Sequence, residues 1–442
     1  MSGASITRSR VTTSAEVVLI ALVPLLALFP LHNNDLWWHL ATGKWITAHH
    51  AVPRDDIFAW TRYLTGWIDN EWLSQVLFYG AWKTGGLRAL IVFRALLFAA
   101  IAVLLRMYTR AFAIAIIPAV ALSWHWWELR PSVFSLIGLL VMLVLIDRDR
   151  RWWLPVVFLL WANLHPGFVF GLVVFAAITV VDRRVLPFLA SVFATLINPY
   201  GWRVYEQSLA IGSNREYRAL LDEWLVPPWW FLLIAVAVLL VGAFHVRRVP
   251  LVRLMPLFAT ATLAMTAVRF EEYLAWIALP IAIECFGVAP EPVPSEREGT
   301  SAAFSRRFAA VVGGATLVIA LLIAATRENA IQPARYPTKC MSAVKGKVFN
   351  RLSWGGWLIW HGVPPFIDGR CSGQKLFFDF VAAQVKYARP LLARWGIDTV
   401  IVGADDGTLK QLANAPEWQL VCHDEASFVF WRNPVQKREF AP

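Results

Sequence analysis

Long apolar runs, separated by short polar loops, recur along the first three quarters of the chain. Several runs are shorter than the roughly 20 residues that a straight crossing of a bilayer needs, so these would extend into the interface or be re-entrant. The pattern predicts an all-α polytopic membrane bundle of about eleven transmembrane helices in residues 1–326. The runs lie at 16–31, 87–105, 111–127, 132–146, 152–164, 166–181, 185–198, 229–246, 254–268, 273–288 and 308–326.

The polar loops between these runs differ in charge. If the amino terminus is cytoplasmic, the loops on that side are the basic ones, as the positive-inside rule requires. They contain Arg8 and Arg10, Arg106 and Arg110, Arg148 to Arg151, Arg183 and Arg184, Arg247 and Arg248, and Arg306 and Arg307. The net charge of +11 is spread over successive loops, unlike the clustered charge of a nucleic-acid-binding face. No nucleic-acid partner is therefore expected.

Residues 327–442 have a different pattern, in which short apolar and polar segments alternate. An odd number of spans places this part outside the cytoplasm, and its length suffices for a small α/β domain. We expect strands in KVFN, PPFIDGR and DTVIVGA, a turn and short helix in SWGGWLIW, a helix over 380–395 and a hairpin at 424–427. One disulfide among Cys340, Cys371 and Cys422 is expected in an extracytoplasmic domain.

The composition agrees with a membrane protein. The chain is 58% hydrophobic with a mean hydropathy of +0.54, and only 16% of its 442 residues are charged. Carboxylates are therefore scarce, and their positions are informative. Most of those on the outer side fall in two loops, 32–86 and 198–229.

The first outer loop begins with an acid, Asp35, directly after the first apolar run. Asp35 could be a general base at the membrane surface, with a pKa tuned by a partly dry environment. It could equally be the N-cap of an interfacial helix from Leu36 to Ala48. Either interpretation puts its carboxylate at the outer edge of the bundle.

Further acids follow in the same loop. Arg54 and Asp55 are expected to form a surface ion pair, whereas Asp56 and Asp69 have no such neighbour in sequence. Glu71 precedes another apolar helix and fits the first turn of that helix, where the helix dipole favours an acid.

Several basic side chains are predicted at the outer membrane edge. A guanidinium group there is costly without a partner, and a lipid phosphate matches its paired donors. The alternative is snorkelling, or pairing with Glu128, Glu271 or Glu272. The candidates are Arg130, Arg203, Arg269 and His165.

The arrangement as a whole resembles the GT-C superfamily of polytopic glycosyltransferases, over nearly the whole chain. It has an acid after the first helix, an interfacial helix, a second outer loop midway and a terminal outer domain. Residues 33–72 and 348–370 also resemble uncharacterised bacterial membrane proteins described as glycosyltransferase-like.

The resemblance implies a bacterial plasma-membrane enzyme that transfers a sugar from a polyprenyl-phosphate-linked donor to an extracytoplasmic acceptor, whose identity stays open. It implies that Asp35 deprotonates the acceptor or binds a divalent metal. Many members have a second adjacent acid, but Leu36 stands there in this chain; Asp56, Asp69 or Glu71 could replace it. His39 is a secondary candidate, and the arginines with His165 would hold the donor phosphate.

Two other classes compete with an enzyme. A transporter or flippase would show charged or broken helices at mid-membrane, often with internal repeats, and Arg94 is the main ionisable residue within a predicted span. A non-catalytic scaffold that displays the outer domain would not need the acids and arginines of the outer loops.

Overall fold

The structure, a computed structural model, describes residues 14–213, 218–219, 221–287, 335–371 and 375–433. The part that is expected to lie in the membrane, here called the membrane part (described residues 14–287), is helical. Its helices are α1 (Ser14–Leu26), α2 (Leu36–His49), α3 (Trp72–Tyr108), α4 (Phe112–Ser123), α5 (Ser132–Asp147), α6 (Leu154–Leu164), α7 (Phe168–Asp182), α8 (Val185–Ala194), α9 (Arg203–Ser213), α10 (Trp229–Phe244) and α11 (Leu251–Ala264). α12 follows in three pieces, Glu271–Tyr273, a π-helical turn Leu274–Ala278, and Leu279–Cys285.

The predicted apolar runs coincide with helices wherever the structure describes them, and the run at 308–326 lies outside the described residues. Among the described residues, two stretches are long and apolar enough to cross a membrane, Trp72–Tyr108 and Asp222–Phe244. Six other apolar helices have 10–17 residues. The number of membrane crossings, about eleven, therefore remains a prediction.

α3 contains both the end of the first outer loop and the second predicted span. It is interrupted at Gly85 and Gly86, where Gly86 adopts a φ of 62° that side chains with a Cβ rarely adopt. The part before this kink belongs to the outer loop, and the part after it contains the predicted span.

Arg94, inside α3, anchors the entry to the first outer loop. Its buried guanidinium donates to the carbonyl of Ala27 at 2.7 Å and to that of Phe29, just after α1 ends. Its Nη1 lies 3.7 Å from Glu128 Oε2. Because these carbonyls have no helical partners, the arginine satisfies groups that would otherwise be buried without hydrogen bonds.

The second part of the described chain, residues 335–433, is here called the outer domain after its expected location. It contains a four-stranded sheet of β1 (Val348–Asn350), β2 (Thr399–Val402), β3 (Trp418–His423) and β4 (Phe428–Arg432), in the order β1-β2-β4-β3. β1 and β2 are parallel, and β4 is antiparallel to both β2 and β3. The helices are α13 (Gly355–Trp360), α14 (Lys375–Ala382), continued by a π-helical turn Ala383–Tyr387, then α15 (Ala388–Arg394) and α16 (Gly407–Leu412). A disulfide joins Cys340 to Cys422 on β3, and Cys371 is buried outside it.

The strand predicted in PPFIDGR is wrong: the segment is not a strand, although the other predicted elements of this domain are present. Two prolines at its start cannot donate to a ladder. The side chain of Asn350 instead bonds its backbone, accepting from Phe366 N at 2.8 Å and donating to Ile367 O at 2.8 Å. The segment is thus held beside β1 by one amide side chain.

The outer domain interlocks with the first outer loop. Trp60 Nε1 donates to Val348 O at 3.0 Å, and Thr61 Oγ1 donates to Phe366 O at 2.9 Å. Trp60 and Tyr63 pack against the hydrophobic core of the outer domain. The PPFIDGR segment is thereby brought against the acidic first loop.

Candidate active site

Asp35 lies at the start of α2 in the N-cap position, but its carboxylate makes no capping hydrogen bond. Its Oδ1 accepts a hydrogen bond from Trp38 Nε1 at 3.2 Å, and its backbone N–H donates to Asn33 Oδ1 at 3.0 Å. Burial raises the pKa of Asp35, and the positive charge of Arg130 opposes that rise. The carboxylate is therefore free of a capping role and lies in the field of Arg130.

Glu71 lies near the same place, just before α3. Burial raises its pKa to about 8, with further contributions from the charges of Asp69 and Asp35. Its carboxyl oxygens lie 3.9 Å from His39 Nδ1 and 3.7 Å from His165 Nε2. Near neutral pH, Glu71 is thus largely protonated.

Both histidines are neutral, since burial lowers their pKa, that of His165 to about 3. The proton of His165 can be placed. Its Nδ1 accepts from Gly167 N at 3.0 Å and lies 2.6 Å from Ser135 Oγ, which also accepts from Trp161 Nε1. Nδ1 is therefore an acceptor, so Nε2 carries the proton toward Glu71.

Two of the arginines meet at one carboxylate of the second outer loop. Arg130 Nη1 and Arg269 Nη1 each donate to a different oxygen of Glu223, both at 3.0 Å. The guanidinium of Arg269 also lies 4.5 Å from the ring centre of Trp224. A pair of guanidinium groups around an anion is the arrangement that favours phosphate.

The structure does not bring the remaining candidates to this group. Arg203 pairs with Glu206, its neighbour along α9, at 3.7 Å with both side chains about half exposed, so the expected convergence of three arginines is reduced to two. Asp56 is fully buried, and its Oδ1 accepts from Phe58 N, Ala59 N and Arg370 Nη2. Such a set of partners makes it a structural acid rather than a second carboxylate beside Asp35.

Sequence reasoning did not single out two participants, Glu223 and the segment 368–370. Glu223 is one acid among several in its loop, and nothing in its sequence neighbourhood marks it as the partner of two distant arginines. Asp69, which the sequence offers as a possible second carboxylate, is buried, its pKa is raised by burial to about 7, and it accepts from Gln75 Nε2 at 2.8 Å. The Asp368–Arg370 segment was read as a strand, although its Asp-Gly pair is a common loop signal.

The geometry does not fit a preformed metal site. Among the described residues, no group of three or more His, Cys, Asp or Glu side chains is arranged to hold a metal ion.

Comparison with solved structures defines the class of fold: the chain has the fold of an oligosaccharyltransferase and of ArnT, which are both GT-C glycosyltransferases. It is similar to the oligosaccharyltransferase of Archaeoglobus fulgidus in its apo form, with a TM-score of 0.54 and 13% identity over 88% of this chain and 69% of that one. The same enzyme tethered to an acceptor peptide matches at 12% identity and the same TM-score and coverage. ArnT from Cupriavidus metallidurans bound to undecaprenyl phosphate matches with a TM-score of 0.52 and 13% identity, over 95% of this chain and 98% of ArnT.

No protein-family model and no curated protein matches the sequence. At 12–14% identity, the likeness to the solved structures shows the fold.

Proposed function

We propose that the chain is a glycosyltransferase of the bacterial plasma membrane that takes a sugar from a polyprenyl-phosphate-linked donor. One observation supports this most: on a GT-C fold, the Asp35 carboxylate makes no capping hydrogen bond and lies in the electrostatic field of Arg130. Arg130 and Arg269 in turn share one anion, the Glu223 carboxylate. Transfer from a sugar phosphate needs these two features, a base for the acceptor and positive charge for the leaving phosphate.

In the proposed reaction, Asp35 in its ionised form takes the proton of the acceptor group. The acceptor atom forms a bond to the anomeric carbon of the sugar as the bond between that carbon and the phosphate oxygen breaks. The electron pair leaves with the polyprenyl phosphate. Because burial raises the pKa of Asp35 from its ordinary value, its carboxylate is a stronger base than that of an exposed aspartate.

Arg130 and Arg269 would hold the phosphate of the donor. A phosphate presents paired oxygens in the manner of the Glu223 carboxylate that these arginines now contact, so it would take the place of that carboxylate. Burial would keep Glu71 protonated, and the neutral His165, with its proton on Nε2, adds no charge beside it.

We propose an extracytoplasmic location for the outer domain. The Cys340–Cys422 disulfide supports this, because disulfides persist in oxidising compartments. A cysteine at the exposed position Val385, in a Cys285→Ser background, should react with a membrane-impermeant maleimide on intact cells. Labelling only after the cytoplasm is opened would overturn the topology.

The enzymatic proposal can be tested without knowledge of the sugar. The purified chain, reconstituted in liposomes, is given a panel of undecaprenyl-phosphate-linked monosaccharides and an extract of bacterial envelope as the source of acceptor. Release of undecaprenyl phosphate, the product common to all such donors, is measured. Asp35→Asn should lower the rate by about 10²- to 10⁴-fold, the contribution of a general base.

The control for Asp35→Asn is binding of undecaprenyl phosphate, which should be retained because the arginines are intact. Near wild-type release by this variant would remove Asp35 from the chemistry. Binding of undecaprenyl phosphate without release from any donor by the wild-type chain would favour a lipid transporter.

A further inference from the structure

Gly369, in the outer domain, lies directly against the Asp35 carboxylate. A Cβ at Gly369 would overlap Asp35 Oδ1 and come within 3.3 Å of Trp38 Nε1. Its backbone is not in the left-handed region, so any residue could adopt the conformation. Space beside Asp35, and not backbone geometry, is therefore what requires glycine here.

The segment around Gly369 cannot easily retreat from Asp35. Arg370 donates to Asp368 Oδ2 at 2.7 Å and to Asp56 Oδ1 at 3.0 Å, and all three side chains are at most 1% exposed. On its other side, the segment is backed by Gly355, where a Cβ would overlap the backbone and Cβ of Asp368. A buried charged cluster and a close backbone contact thus hold Gly369 in place.

The outer domain also contacts the residues on either side of Asp35. Tyr336 Oη donates to Asn34 Oδ1 at 3.0 Å. A Cβ at Gly356, in α13, would lie 3.0 Å from Asn34 O and 3.2 Å from Trp38 N. Two outer-domain glycines therefore allow a close approach to the loop that carries the proposed base.

The contacts of Asp35 distinguish its two oxygens. Oδ1 accepts from Trp38 Nε1 and lies against Gly369. Within the described part of the chain, no hydrogen bond is made to Oδ2. An orientation set by Oδ1 thus leaves Oδ2 to receive a proton.

We propose that Gly369 is a positioning residue for Asp35, so that the outer domain completes an active site whose base comes from the membrane part. This inference rests on the proposed function. A methyl group at residue 369 would push the carboxylate from its position while leaving the arginines of the donor site untouched. A misplacement of about 1 Å in a catalytic group can cost about 100-fold in rate.

The experiment is a double-mutant cycle with Gly369→Ala and Asp35→Asn, read out as release of undecaprenyl phosphate from the donor panel. Gly369→Ala should lower kcat about 100-fold and leave the Kd for undecaprenyl phosphate unchanged. In the Asp35→Asn background it should cause no further loss, because its effect passes through Asp35. Gly80→Ala is the matched control, since no atom lies within 4 Å of a Cβ there.

Three results would overturn the inference: wild-type kcat in Gly369→Ala, an equal loss in both backgrounds, or a loss confined to donor binding. Full activity of Asp35→Asn would instead contradict the proposed function. If Gly369→Ala does not fold, Gly356→Ala replaces it, since alanine suits a helix and the added methyl presses less severely on Trp38 N. A smaller loss of kcat, again absent in the Asp35→Asn background, is then expected, and an unchanged kcat would refute the positioning role.

Discussion

Arg130 donates a hydrogen bond from Nη1 to Glu223 Oε2 at 3.0 Å, joining the start of α5 to the second outer loop. The other oxygen of Glu223 accepts from Arg269, which precedes α12. All three side chains are 26–37% exposed, so an anion from outside can reach them. Glu223 therefore lies where the proposed donor phosphate would bind.

Replacing Glu223 by glutamine should strengthen binding of undecaprenyl phosphate. Glutamine keeps the shape of the side chain but removes the negative charge that competes for both arginines. A partly exposed ion pair is worth about 1 kcal/mol or less, which corresponds to a decrease in Kd of up to about fivefold. Titration of the reconstituted chain with undecaprenyl phosphate measures it.

The matched control is Glu206→Gln, which neutralises the half-exposed partner of Arg203 and should leave the Kd unchanged. Weaker binding by Glu223→Gln would mean that the Glu223 carboxylate holds the arginines in their binding geometry, and the idea of competition would be discarded.

Replacing Arg130 or Arg269 by alanine should weaken binding of undecaprenyl phosphate by about 1.5–3 kcal/mol, the range for a hydrogen bond to a charged group. Lysine should restore part of the affinity, because it carries the charge but cannot make a paired contact. Arg203→Ala should bind as the wild type, since Arg203 pairs with Glu206. An equal loss of affinity in all three alanine variants would show that Arg203 also binds the donor phosphate.

Turnover should fall as the pH rises through about 8. The pKa of Glu71 is raised to about 8, chiefly by burial, so its proton is present below that pH and is lost above it. Loss would place a second negative charge near Asp35 and beside the donor phosphate. Glu71→Gln, which stays neutral, should retain activity near neutral pH and lack this alkaline decline in a plot of kcat against pH.

Most of the other titratable groups near Glu71 do not change their protonation state around pH 8. His39 and His165 are already neutral, and Arg130 and Arg269 oppose the rise of the Glu71 pKa. Asp69, with a pKa of about 7, and Glu272, whose pKa burial raises to about 8 in the field of Arg130 and Arg269, could imitate the effect. An alkaline decline that persists in Glu71→Gln and disappears in Asp69→Asn or in Glu272→Gln would assign it to that acid.

Replacing Arg370 by methionine should destabilise the chain by about 3–5 kcal/mol, the cost of leaving buried charges without a partner. Asp56 and Asp368 would both lose the guanidinium between them. Thermal unfolding in detergent measures the loss. Arg203→Met, which breaks a half-exposed pair with Glu206, should cost about 1 kcal/mol or less. Equal effects of the two substitutions would show that the buried cluster contributes no more than a surface pair.

The sequence predicted the elements well where a single periodicity decides them. Each apolar run that the structure describes falls on a helix, whereas α9 lies outside every run, and DTVIVGA marks β2, all four residues of which are buried. The one wrong element, PPFIDGR, is a segment whose backbone bonds the side chains of Asn350 and Thr61 instead of a neighbouring strand. Periodicity does not report such a partner, because it reflects which face is buried and not what bonds the backbone.

Candidate residues could be found from the sequence because charged side chains are few in this chain. Asp35, Glu71 and the arginines stand out because carboxylates and guanidinium groups at a membrane edge need a reason. Whether Asp35 caps α2 could not be decided from the sequence, since the capping position is the same in both cases. The structure shows that Trp38 takes its Oδ1 and that no capping bond is made.

By itself, the sequence determined the helical part, the small α/β domain and the loops that carry acids and arginines, because burial leaves a local pattern of apolar residues. Only the tertiary structure decided which of those residues meet. Arg130 and Arg269 converge on Glu223, Arg203 does not join them, and Gly369 comes from more than 300 residues away to lie against Asp35. Such contacts depend on how helices and domains pack, and the local sequence around these residues does not indicate their distant partners.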